Sequence, residues 1–157
     1  MPVQTTETRR GMGESRPTVL RGLIVRLREI EGPDRDLDSQ IDTVIHRIVW
    51  RPYREDSKMF WGHSPDGTVL RHGKDSCPAF TASLDAAQGM LQRILPGWSW
   101  QVHTGSRSEE GFHCAVWRSW GANAYRRHIA EAFPTPALAM VFALVTALTN
   151  DPEADER

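Results

Sequence analysis

The sequence predicts an α+β fold, an α/β/α sandwich in which a small antiparallel sheet is packed by helices. Three observations predict it. Near the front, Leu20, Leu23, Ile24, Leu27 and Ile30, and then Leu37, Ile41, Val44, Ile45 and Ile48, recur at helical spacing. WSWQVH at 98–103 and FHCAVWRSW at 112–120 read as the two arms of a hairpin around the polar turn TGSRSEEG. PALAMVFALVTAL at 136–148 is apolar all round, as a helix covered on every side must be.

Residues 1–16 are polar and contain glycine, and read as a flexible basic arm. Residues 17–149 read as one domain, and 150–157 as an acidic tail. The first helix begins at Pro17 or Thr18 and stops at Gly32-Pro33, because proline cannot continue the backbone ladder. The second begins near Asp34. Asp34, Asp36 and Asp38 fill its first turns, where carboxylates suit the positive end of the helix dipole. The same three acids match the first ligand positions of a calcium loop. That loop fails at Ser39, where a glycine is needed, and at Ile45, where a glutamate is needed.

Residues 50–76 mix aromatics with turn signals such as Pro65-Asp66-Gly67, and MFWGH and TVLRH read as the arms of a short hairpin. A third helix follows, capped by Thr81 or Ser83, with Leu84, Ala87, Leu91, Ile94 and Leu95 as its stripe and Pro96-Gly97 as its stop. Trp98, Trp100 and Val102 then share one face of a strand. In its partner, Phe112, Cys114, Val116 and Arg118 face one way, and His113, Ala115, Trp117 and Ser119 the other. YRRHIAEAF at 125–133 has no decisive pattern. The last helix has Thr135 as cap and Pro136 at its first position.

The 157 residues suit one domain, and 39% hydrophobic with 25% charged residues is ordinary for one with a core. A net charge of -1 gives no global attraction to nucleic acid or anionic membrane. The charge is nonetheless uneven. Arg9, Arg10, Arg16, Arg21, Arg26 and Arg28 outweigh Glu7 and Glu14 at the front, while Asp151, Glu153, Asp155 and Glu156 outweigh Arg157 at the end. Solvated termini account for this; a nucleic-acid contact through the basic arm is the alternative. Cys77 and Cys114 make no disulfide framework, no signal peptide opens the chain, and the longest apolar stretch is too short to span a bilayer. The expected location is a cytoplasm, with reduced thiols.

No catalytic residue, metal site or cofactor motif emerges. His63, His72, Cys77, His103, His113 and Cys114 lack the close pairing of zinc ligands. Cys114 and His113 fall on opposite faces of a strand, so they form no nucleophile–base pair. GMG at 11–13 lacks the strand–turn–helix setting of a phosphate loop. The notable excess is six tryptophans. Trp117, Arg118, Trp120, Tyr125, Arg126 and Arg127 form one aromatic–basic cluster, and Trp50, Arg51, Tyr53 and Arg54 another. Such clusters arise where bulky rings cover a sheet with arginines stacked on them. They also arise as contact surfaces for protein or nucleic acid.

Three blocks occur in order: GPDRDLDSQI at 32–41, PAFTASLDAAQGMLQRILPGWSWQV at 78–102 and TPALAMVFALVTAL at 135–148. Together they resemble the phage ABA sandwich domain, found in small phage and prophage proteins. The resemblance implies α/β/α layering, a phage or prophage origin, and residence in the host cytoplasm. It brings no catalytic signature and no site residues. The function class it suggests is a non-enzymatic protein that binds a host protein or complex, most concretely an inhibitor of a bacterial immune system of the anti-CRISPR or another anti-defence type. One alternative is a small-molecule or nucleic-acid binding protein or nucleotide-processing enzyme, with a pocket near His103, His113 or Asp85. Another is a virion or packaging accessory protein.

Overall fold

The computed structural model describes residues 13–105, 111–118, 126–129 and 131–155, with the backbone alone for 126–129, 152 and 153. Its helices are α1 (Arg16–Glu29), α2 (Arg35–Ile45), α3 (Leu84–Ile94), α4 (Pro136–Asn150) and α5 (Pro152–Asp155). Its strands are β1 (Val49–Pro52), β2 (Phe60–His63), β3 (Val69–Arg71), β4 (Ser99–Thr104), β5 (Phe112–Arg118) and β6 (Arg126–Ile129). The fold is α+β, with small antiparallel sheets packed by helices.

Helix α4 organises the core. The Thr135 hydroxyl accepts the Leu138 N–H at 3.2 Å, and Pro136 opens the first turn. The helix meets β4, β5 and β6 along one side and α1 and α3 along others, which is why every residue from Ala137 to Val145 is buried. An apolar helix in the sequence thus becomes a central layer, each large side chain contributing about 1.5–3 kcal/mol of burial.

The sheet against α4 has the order β4-β5-β6. Trp100 pairs with Val116 and Val102 with Cys114, and this row faces the core. The opposite row carries His103 against His113, their rings stacked 5.5 Å apart. Strand β6 supplies a third strand in the segment whose sequence had no decisive pattern.

Residues 49–71 form a second sheet of order β1-β2-β3. The expected hairpin is present with shorter arms. Gly67 (φ 90°) turns the chain, and its N–H donates to Ser64 at 2.9 Å. Strand β1 adds to this hairpin by pairing Val49–Pro52 with Phe60–His63.

The reading of both termini as solvated needs correction for the described residues. Asp151 and Ala154 are buried. The Arg16 guanidinium donates to both oxygens of Asp155 at 2.8 Å, and Arg47 donates to the Asp155 carbonyl at 2.7 Å. Arg16, placed by sequence in the arm, opens α1, and the start of the acidic tail folds back onto α1 and onto Arg47, just beyond α2. Among the described residues no helix is long and apolar enough to cross a membrane.

Candidate functional site

The acids that open α2 are structural. Asp34 caps the helix, accepting the Leu37 N–H at 2.9 Å. Asp38 is fully buried and accepts the Thr81 N–H at 2.7 Å and an Arg35 N–H at 3.0 Å. One turn on, buried Asp42 accepts two N–H groups of Arg71, each at 2.8 Å, and lies 2.9 Å from His46 Nδ1. Burial pushes the Asp42 carboxyl up, but hydrogen bonds from His46 and Arg71 and the Arg71 charge outweigh it and hold the group below its ordinary value. Sequence reading missed Asp42, His46 and Arg71 as a set. The signal was present in part: residues 38, 42 and 46 follow each other at the same four-residue step as buried Leu37, Ile41 and Ile45.

The thiols are equally internal. Burial pushes both Cys77 and Cys114 up to about 12, and the Asp42 and Asp38 charges add to the effect at Cys77. A thiol in that state is no nucleophile. Among the described residues no group of three or more histidine, cysteine, aspartate or glutamate side chains is placed to hold a metal ion.

The C-terminal aromatic–basic cluster is divided by its strand. Trp117 and Arg118 point to opposite faces of β5. Arg118 is only 12% exposed, sits 3.9 Å from Asp151, and lies over the Trp98 ring at 5.9 Å. It is an internal residue, which corrects its reading as a surface anchor. In register, Arg126 is opposite Arg118 and Arg127 opposite Trp117. Trp120 and Tyr125 lie outside the described residues.

The first cluster is also divided, with a different result. Trp50 turns inward: its indole N–H donates to the Thr43 hydroxyl at 3.1 Å, and its ring covers Gly62. Arg51, Tyr53 and Arg54 are exposed. Tyr53 meets Trp61 at 4.4 Å between ring centres, and Trp61 stacks on His72 at 4.8 Å with planes 9° apart. The Arg54 guanidinium lies 5.2 Å over the Tyr53 ring. The result is a four-group ladder, Arg54–Tyr53–Trp61–His72, running across the sheet. Exposed Val49, Met59 and Phe60 lie in the same part of the chain. Beside it opens a cleft of about 680 Å³, walled by Met59, Phe60 and Gly73 and edged by Lys58, His72 and Lys74, with Asp75 and Ser76 completing it.

Sequence reading named Tyr53 and Arg54 but not Trp61 or His72, which reach the ladder only through strand pairing. The outward row of β2 and its neighbour after β3 was a usable signal, since Trp61 and His63 alternate with Gly62.

No family model, no curated protein and no solved structure matches this chain.

Proposed function

We propose that this chain is a non-enzymatic binding protein that contacts a protein partner through the outer face of its first sheet. The observation that carries the reading is the Arg54–Tyr53–Trp61–His72 ladder, with Val49, Met59 and Phe60 exposed in or beside the same sheet. Aromatic and arginine side chains held rigid at a surface are the usual anchors of protein interfaces. The ladder also favours protein over nucleic acid. The Tyr53 and Trp61 rings each have a neighbour on either side in the ladder, whereas base stacking needs free faces. The surrounding charges are mixed, Arg51, Arg54, Lys58 and Lys74 standing among Glu55, Asp56, Asp66 and Asp75. A phosphate backbone calls for a one-signed surface.

Catalysis has less support. Asp38 and Asp42 hold α2 to its neighbours, and both thiols are protonated. The narrower form of the proposal is a phage-type inhibitor that blocks a host immune effector. It rests on the resemblance of residues 32–41, 78–102 and 135–148.

The test is affinity capture from a bacterial lysate, read by mass spectrometry and repeated with purified partner. A stoichiometric protein retained by the wild type and lost with Tyr53→Ser/Arg54→Glu is the expected result. Arg126→Glu/Arg127→Glu serves as the companion variant for the second cluster. Capture unaffected by Tyr53→Ser/Arg54→Glu, or recovery of nuclease-sensitive nucleic acid alone, would overturn the reading.

A further inference from the structure

We infer that the cleft beside the ladder takes an acidic segment of the protein partner, seating a carboxylate between Lys58 and Lys74 and an apolar side chain on Met59 and Phe60. The inference rests on the contact reading above and adds the partner's chemistry. The geometry is specific. Lys58, Met59 and Phe60, at the start of β2, and His72, Gly73 and Lys74, after β3, line an open cleft of about 680 Å³. That is room for two or three side chains of an extended segment.

The two stretches differ in chemistry. Met59 is 57% exposed and Phe60 41%, the first and fifth most exposed of the large hydrophobic residues described. Both belong to the first stretch. In the second, the Lys74 ammonium lies 6.0 Å over the Trp50 ring, a contact that positions the charge without neutralising it. Among the described residues neither Lys58 nor Lys74 has a carboxylate within ion-pair distance, in contrast to Arg16, Arg26, Arg28, Arg35 and Arg71, which all do. Asp75, also in the lining, leaves a net positive cleft.

Gly73 holds φ 137°, and a Cβ there would meet nothing, so its wall is open backbone able to approach another chain. His72 edges the cleft while its ring stacks on Trp61, so this one residue joins the cleft to the ladder. An acidic segment with an apolar residue satisfies both stretches. A basic segment meets two ammonium groups, and a purely apolar one leaves them desolvated and unpaired.

The test is a titration of the ¹⁵N-labelled full chain, followed by amide shifts, with three unlabelled octapeptides. The probe is Gly-Asp-Glu-Leu-Phe-Asp-Glu-Gly; its controls replace the acids by Asn and Gln, or by Lys. The acidic peptide is expected to shift the Gly73 and Lys74 amides and to bind at least tenfold more tightly than the neutral one. The basic one is expected not to bind. Lys58→Glu/Lys74→Glu, both exposed positions, is expected to abolish acidic binding with an unchanged circular dichroism spectrum. Equal affinity for acidic and neutral peptides overturns the inference, as does acidic binding that survives the double variant. So does no shift with any peptide, and the contact reading then stands if Tyr53→Ser/Arg54→Glu still loses the captured partner.

Discussion

Asp42 on α2 and Arg71 at the end of β3 face each other with two N–H···O contacts of 2.8 Å, both side chains nearly buried. This pair fastens the first sheet, and with it the ladder, to the helices. Arg71 also donates to the Leu70 carbonyl at 2.9 Å, so each of its three guanidinium nitrogens makes a hydrogen bond.

Removing one partner leaves the other buried and uncompensated. Asp42→Ala is therefore expected to lower stability by about 3–5 kcal/mol, read from urea unfolding midpoints. Asp42→Leu/Arg71→Met, which removes both charges, is expected to recover much of that loss.

The same carboxylate gives an acid dependence. Its folded-state value lies below the ordinary 3.8, because the hydrogen bonds from His46 and Arg71 outweigh burial. A depressed carboxyl contributes stability that is present above its unfolded value and lost as pH falls through the folded one. Stability from this group should be flat above about pH 5 and fall below about pH 4. An acid limb as steep in Asp42→Asn as in the wild type would exclude Asp42 as its source.

Gly62 is fixed by crowding. A Cβ there would lie 2.7 Å from Ile48 Cγ2 and 3.2 Å from the Trp50 ring. Gly62→Ala is expected to cost about 1–3 kcal/mol. In an Ile48→Ala background the added cost should shrink, since the nearest obstructing atom is gone, and a double-mutant cycle measures the difference.

The thiols offer a simple check on the core. With both cysteines pushed up to about 12, roughly one molecule in 10⁴ carries a thiolate at pH 8. A disulfide reagent is expected to find no reactive thiol in the native protein and both in denaturant. Rapid native labelling of one cysteine would show that its surroundings open.

The C-terminal turn is expected to matter despite its acidic composition. Truncation after Asn150 deprives Arg118 of Asp151 and α1 of Asp155, and should lower stability by about 3–5 kcal/mol. Asp155→Ala, which removes only a partly exposed pair, should cost about 1 kcal/mol. Thermal unfolding of both variants separates the two contributions.

Local signals carried the helices. Asp34, Ser83 and Thr135 each accept the N–H three residues on, and the apolar stripes of α1, α2 and α3 are the buried ones. Thr81, the other cap candidate, instead accepts from the Asp34 N–H and anchors α2. The hairpin of β4 and β5 was legible from alternation. The candidate surface was legible only in part, because Tyr53 and Arg54 were visible as a cluster while Trp61 and His72 were not.

By itself, then, the sequence determined the α+β class, the starts of α1 to α4 to within a residue or two, and the facing of the residues in β4 and β5. These depend on caps, breakers and periods of a few residues, all of which are local. Tertiary structure decided which side chains meet. It set Asp42 against Arg71 across 29 residues, drew Arg118 inward to Asp151, and aligned Tyr53, Trp61 and His72 along one face. Those choices follow from strand register and from the need to pair a charge once it leaves water. Neither is written in the spacing of neighbouring residues.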